Sequence, residues 1–350
     1  MSNALRSAAH VQSLLRELHA ARRPLRVMEV CGTHTMSIGR WGLRKLLPPW
    51  LELLSGPGCP VCVTPVSFFD ALWMLPQEVA IAAFGDLLRV AGSHGTLEDA
   101  RAQGRDVHLV HSPRQALALA RQRPTVFAAV GFETTAPGIA DVIRQAHEEN
   151  VRDFSVLCGC KLIAPAMRAL LDAGAELDGF LLPGHVASVT GMGAFEFLPR
   201  AYSASGVVAG FEPVDILAAL VLLARMEQPA IRNAYPRCVK PEGNTHAMRL
   251  MQQVFAPASA EWRGLGAIPA SGLALRQAYA HLDAAKRYNL EPTPSPEPQG
   301  CRCGEVLQGR IRPPDCGLFG SRCTPANPIG PCMVSGEGSC AAWFRYERHA

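Results

Sequence analysis

Residues 126–135 read Val-Phe-Ala-Ala-Val-Gly-Phe-Glu-Thr-Thr, and this stretch decides the fold class. Five apolar residues follow one another without polar alternation. Such a run suits a strand covered on both faces, the usual position of a strand in a parallel sheet. At Gly131 the run gives way to a carboxylate, Glu133, and two hydroxyls. In open α/β sheets ligands sit in the crevice beyond the carboxyl ends of the strands, so a polar cluster there is a candidate for chemistry.

The same pattern recurs on both sides. Apolar runs occupy Leu25–Val30, Val79–Phe84, Val107–Val110, Phe154–Leu157, Phe180–Leu182 and Val207–Ala209. Helical spacing appears between several of them, in Gln115–Arg121, Ile139–Ala146, Ala166–Ala173 and Val214–Met226. Strand–helix alternation of this kind predicts an α/β protein with two Rossmann-like parallel-sheet domains. The break between them is expected near Pro113–Pro124, giving residues 1–117 and 118–230. Residues 231–350 form the third unit, with helices expected over Thr245–Val254 and Gly272–Tyr288. A proline-rich linker at 291–300 then leads into a small C-terminal domain, extended and semi-rigid as such sequences are.

Polar residues gather at the strand ends in phase. Cys31-Gly-Thr-His34 follows the first run, Gly85-Asp86 the second, Glu133 the fourth, and Pro183-Gly-His185 the sixth. A thiol, two carboxylates and two imidazoles are thereby expected to converge on one crevice. Gly56-Pro-Gly-Cys59-Pro-Val-Cys62 adds a C-x-x-C pair, which either closes a reversible disulfide or ligates a soft metal. A helix starting after Pro65 would favour thiolate there through its dipole.

The chain has 12 cysteines, and six fall at 301, 303, 316, 323, 332 and 340 among glycines and prolines. A segment so poor in large apolar residues needs a bound metal or cluster to offset its ordering entropy. Zinc is one candidate, but paired C-x-x-C knuckles are absent and an iron–sulfur cluster is preferred. A cluster takes four cysteines, which leaves two for a disulfide. Cys158, Cys160 and Cys238 read as small buried hydrophobes.

These motifs together resemble the HypD family of [NiFe]-hydrogenase maturation factors, from about residue 24 to residue 346. The resemblance implies a scaffold for assembling the Fe(CN)2CO unit, working with the chaperone HypC. Cyanide would arrive through HypE, which HypF charges. It also implies that Cys31 ligates iron, that Cys59 and Cys62 form a redox-active or iron-contacting pair, and that a [4Fe-4S] cluster is held by Cys301, Cys316, Cys323 and Cys340. Cys303 and Cys332 are then the disulfide candidates. His34, Glu133, His185 and Asp86 would orient ligands or handle protons. The alternative reading is an iron–sulfur-dependent thiol/disulfide reductase acting on a partner protein.

Composition narrows the field further. Of 350 residues, 48% are hydrophobic and 18% charged, a globular balance. The net charge of +4 is spread without a basic block, which argues against nucleic acid. Met1–Pro24 reads as an amphipathic helix rather than a secretory signal, because Arg6, His10, Arg16 and Glu17 interrupt its apolar residues. The most apolar stretch, Ile216–Ala224, is about half of the roughly 20 residues a bilayer requires. No membrane association and a cytoplasmic location are therefore expected, with the cysteines used for metal or redox chemistry rather than as a disulfide scaffold.

Overall fold

The computed structural model describes residues 7–290 and 295–348. Nine parallel strands make two sheets. The first has the order β2 (Leu51–Ser55), β1 (Leu25–Glu29), β7 (Gly179–Pro183), β8 (Ser205–Ala209) and β9 (Ile231–Asn233). The second has the order β4 (Val107–Leu109), β3 (Ala80–Ala83), β5 (Thr125–Ala129) and β6 (Phe154–Cys158). An antiparallel hairpin, β10 (Phe255–Trp262) and β11 (Gly266–Leu275), follows. The tail from residue 295 consists of short helices and turns.

Every apolar run singled out above is a strand, and β3, β5, β7 and β8 are buried at every position. Helices Pro113–Ala120, Ala136–Glu148, Ile163–Asp172, Pro213–Arg225 and Thr245–Val254 lie where helical spacing predicts them. The expected division into 1–117 and 118–230 does not match the sheets. The chain leaves the first sheet after β2, builds the whole second sheet, and returns at β7. A cut at 117/118 would separate β3 from β5, which pair from Ala80↔Thr125 to Ala83↔Ala128. The reason is physical: a fully buried strand shows the same apolar run whichever sheet it joins, so its pattern carries no partner information.

The third unit also differs. Gly272–Tyr288 is not one helix; β11 runs to Leu275, then come a 3-10 turn (Gln277–Leu282) and a short helix (Ala284–Arg287). Cross-strand pairing of Leu273 with Pro257 and Leu275 with Phe255 overrides the local helical spacing. Part of the proline linker, 291–294, lies outside the described residues. Beyond it the chain is tied down, Ser295 donating to the Asp70 carboxylate and Glu297 pairing with Arg263.

One apolar cluster joins the first sheet (Met28, Val30, Phe180, Leu182) to Cys59 and Cys62, to Trp262 of the hairpin, and to Cys303, Leu307 and Cys332 of the tail. The tail is thus part of the core. Among the described residues no helix is long and apolar enough to cross a membrane.

Candidate functional site

β1 ends at Glu29, and two residues later Cys31 caps the helix Gly32–Arg40. The Glu29 carboxylate is buried beneath this turn. It accepts the Cys31 N–H at 3.1 Å and the Thr35 hydroxyl at 2.5 Å. The loop that carries the C-x-x-C pair lies directly on this turn: Gly56 N–H donates to Glu29 O at 2.8 Å, and Gly32 N–H donates to Gly58 O at 3.0 Å. Glycine is required at 58, since a Cβ there would stand 2.2 Å from the Cys31 nitrogen. Cys59 and Cys62 are joined by a disulfide, and Cys59 Sγ accepts the Cys62 N–H at 3.1 Å. Helix Val66–Trp73 begins just after Pro65, as its sequence predicts.

Burial pushes the Cys31 thiol up to about 12, the Glu337 and Glu29 carboxylates adding to the rise against the His34 and Thr33 backbone N–H groups. Burial likewise raises Glu29 to about 7. Burial keeps Cys31 a neutral thiol, while the two neighbouring carboxylates are the part of its surroundings that would attract a cation.

His34 is fully buried. Its Nε2 lies 3.0 Å from Gly210 O, Nδ1 has no partner, and burial lowers its pKa to about 4. Phe211 stands between the two imidazoles, 4.8 Å from the His34 ring and stacked at 4.0 Å on His185. His185 is the exposed one; partial burial lowers its pKa, with the Glu337 charge acting in the opposite sense. The tail reaches this mouth. Thr33 donates its hydroxyl to Glu337 at 2.8 Å, and Ser335 donates to Asp86 at 2.8 Å. Cys31, His185 and Asp86 therefore gather around the tail segment 335–337, the Cys59–Cys62 loop packs on the Cys31 turn, and His34 lies behind Phe211.

Glu133 is placed differently. It is buried at the end of the second sheet, Oε1 accepting the Ile163 N–H at 3.0 Å and Oε2 lacking a partner. Burial raises it to about 7. Its neighbour Phe132 stacks on Trp262.

All six tail cysteines line one pocket, with Val306, Leu318, Phe319 and Met333. Cys303 and Cys332 face inward, in the same apolar cluster as Cys59 and Cys62. Cys323 belongs to a separate outer cluster with Met333 and Ala341, and Cys340 packs against both. Hydrogen bonds from Cys301 and Cys332 hold the Cys303 thiol well below its usual range. Cys62 Sγ lies 3.9 Å from Pro331 O, so the C-x-x-C pair touches the residue preceding Cys332. Among the described residues no three His, Cys, Asp or Glu side chains surround a single-ion site. Cys238 is exposed rather than buried.

The family model described as "Hydrogenase formation hypA family", HypD, matches residues 6–347. The chain belongs to the HypD family. It is 44% identical over 343 residues to the hydrogenase maturation factor HypD of Azotobacter vinelandii, covering 93% of this chain and 90% of that one. It is 42% identical over 340 residues to the HypD of Escherichia coli strain K12, covering 94% and 91%. A protein of Azotobacter chroococcum named hydrogenase expression/formation protein HupD is 44% identical over 342 residues, covering 93% and 90%. Membership in the HypD family gives the chain a role in hydrogenase maturation.

Three participants escape a reading of the sequence. Glu29 had a signal, a carboxylate inside the apolar run Leu25–Val30. Phe211 follows β8 just where the other strand ends carry their polar clusters, but an aromatic ring does not announce chemistry. Glu337 had no local signal, because its importance comes from where the tail folds.

Proposed function

We propose that this HypD-family chain is a scaffold on which the Fe(CN)2CO unit of [NiFe] hydrogenase is assembled, with iron as its cargo. The observation that carries the reading is the contact of three thiol regions: the Gly58 loop on Cys31, and Cys62 against the tail at Pro331. Reduction of the Cys59–Cys62 disulfide frees two thiolates beside Cys31. Thiolate is the soft ligand type that suits iron carrying cyanide and CO. Glu29 and Glu337 favour a cation at Cys31. His185, exposed on the outer side of Phe211, is the imidazole within reach of an arriving ligand, and His34 fixes the ring stack from inside. Asp86, held by Ser335, fastens the tail across the mouth, and Glu133 orders the end of β5 from the second sheet.

A HypC-type chaperone would share the iron through its own thiolate, and HypE would deliver cyanide charged upstream by HypF. The tail pocket fits a [4Fe-4S] cluster in its donor set, since six sulfurs converge in apolar surroundings and Cys323 Sγ accepts the Ile329 N–H at 3.3 Å. Cys301, Cys316, Cys323 and Cys340 would hold it, and it would supply single electrons. Cys303 and Cys332, which share the apolar cluster of Cys59 and Cys62, are then left as the disulfide-forming pair.

The test is infrared spectroscopy of the anaerobically purified chain with its chaperone. Cyanide and CO stretches are expected in wild type and absent in Cys31→Ala, with the cluster absorption unchanged. Bands that persist in the variant would remove Cys31 as the ligand. Absence of the bands in both proteins would leave the thiol/disulfide reductase.

A further inference from the structure

Cys158, Cys160 and Lys161 lie outside the cleft and the tail, and the proposed scaffold makes no use of them. β6 ends at Cys158, and the chain continues beside β5 and its extension: Gly159 N–H donates to Ala129 O at 2.8 Å and Lys161 N–H to Gly131 O at 2.9 Å. Residues two apart on an extended segment project to one side. The two thiols accordingly lie on one side of the chain, close enough for each to shift the other's ionisation. The glycine between them leaves room for the Phe68 ring, which a Cβ at 159 would meet at 2.8 Å and push aside.

Their exposures differ. Cys160 is buried, with Sγ 3.6 Å from Ala129 O, whereas Cys158 keeps part of its surface open. Lys161 is 3% exposed, which is rare for an unpaired ammonium. Its Nζ donates to Glu261 O at 2.6 Å and lies 5.5 Å from the centre of the Trp262 ring. The charges it feels are those of Cys158, Cys160 and Glu261, while Asp283 faces Cys158. A buried amine with no carboxylate in hydrogen-bond contact, set against two thiols, is an arrangement that packing alone does not require.

We propose that Cys158 and Cys160 form a second, separate dithiol that exchanges with low-molecular-weight disulfides, Cys158 attacking and Cys160 resolving. The Cys158 thiolate attacks one sulfur of oxidised glutathione, forming a mixed disulfide and expelling one glutathione thiolate. Cys160 then attacks Cys158 Sγ, closing the Cys158–Cys160 bond and releasing the second glutathione, which leaves with the Cys160 proton. Two electrons pass from the dithiol to glutathione, and an excess of reduced thiol reverses both steps. The division of labour follows from the structure. The open sulfur meets the reagent, and the buried one needs to reach only its neighbour. The neighbouring Cys160 thiol holds Cys158 below the usual thiol range, and burial lowers Lys161 to about 8, where it can take or return a proton near neutrality. Because residues 161–163 bond to Gly131 and Glu133, closure acts on the strand end that presents Glu133.

The test uses the full chain, purified without oxygen, reduced, and exposed to oxidised glutathione. The tryptic peptide Asp153–Lys161 contains these two cysteines and no other. It is expected two hydrogens lighter and closed to alkylation. Cys160→Ser should instead hold glutathione on Cys158, and Lys161→Met should slow closure roughly tenfold, as a tenfold smaller thiolate population would. If both cysteines still alkylate fully under conditions that oxidise Cys59 and Cys62, the proposal is wrong. It is equally overturned if Cys158→Ser takes up glutathione at Cys160 as fast as wild type does at Cys158.

Discussion

Replacing Glu133 with Gln should make the protein more stable at high pH and no more stable at low pH. The carboxyl is 4% exposed, bonded through one oxygen to Ile163 N–H, and its other oxygen has no partner. Burial lifts it from 4.5 to about 7. The folded chain therefore binds this proton more tightly than the unfolded chain. The stability contributed by the protonated form is complete below pH 4.5 and is lost as pH rises through about 7. At about 1.4 kcal/mol per pH unit of separation, the loss approaches about 3 kcal/mol near pH 8. Gln mimics the protonated shape and does not titrate, so the variant should escape this loss. Glu29 and His34 titrate in both proteins and cancel in the difference. The assay is anaerobic urea unfolding at a series of pH values, read by the fluorescence of buried Trp262, which stacks on Phe132. The difference between variant and wild type should grow by about 3 kcal/mol from pH 4.5 to near pH 8. Parallel pH profiles would show that Glu133 is ionised in the folded chain and that its unpartnered oxygen is satisfied in some other way.

Two further outcomes are expected. Gly58→Ala should cost about 1–3 kcal/mol, the usual penalty of overpacking, because its Cβ would meet the Cys31 nitrogen at 2.2 Å. Thermal unfolding measures the loss, and alkylation of Cys31 should speed up as the loop lifts; an unchanged melting temperature would mean that the loop moves away freely. Under the proposed ligand set, Cys323→Ala should bleach the visible absorption of the anaerobic protein while far-ultraviolet circular dichroism of the two sheets persists, since binding of such a cluster would contribute to folding of the tail alone. Absorption retained at the wild-type level would take Cys323 out of the ligand set.

The strands and their polar ends were legible because both signals are local. A buried strand must be apolar, and the residue after it is free to be polar, so Val126–Val130 followed by Glu133 announces itself. Partnership between strands is not local. Nothing in Ala80–Ala83 says that it pairs with Thr125–Ala128 rather than with Leu25–Glu29, and the two-domain division failed at that point. The edge strand Leu51–Ser55 carries a weaker signal because the exposed Glu52 interrupts its apolar run. The hairpin escaped notice because its exposed strands mix Pro, Ala and Gly with apolar residues. In the candidate site, the thiols and imidazoles were legible as residue types. Their inequality was not: His34 and His185 look alike in sequence, yet one is sealed behind Phe211 and the other open.

The interleaved topology explains why the thiol regions meet at all. The C-x-x-C loop is the chain's way out of the first sheet, so it must lie at the carboxyl end of β2, beside the end of β1 that carries Cys31. The hairpin then closes over it. Arg263, at the hairpin tip, is buried; its N–H donates to Val63 O at 2.9 Å and its Nε to Thr64 O at 2.9 Å. The same guanidinium pairs with Glu297 of the tail and helps hold the Cys303 thiol low. Burying an arginine is costly unless its charge is answered, and here one Nη2 is left without a partner. A cation so placed, reaching from the backbone that follows Cys62 to the tail, favours negative charge on the Cys303 sulfur. Closing a disulfide at Cys303 would remove the negative sulfur that Arg263 favours and leave Glu297 to answer its charge.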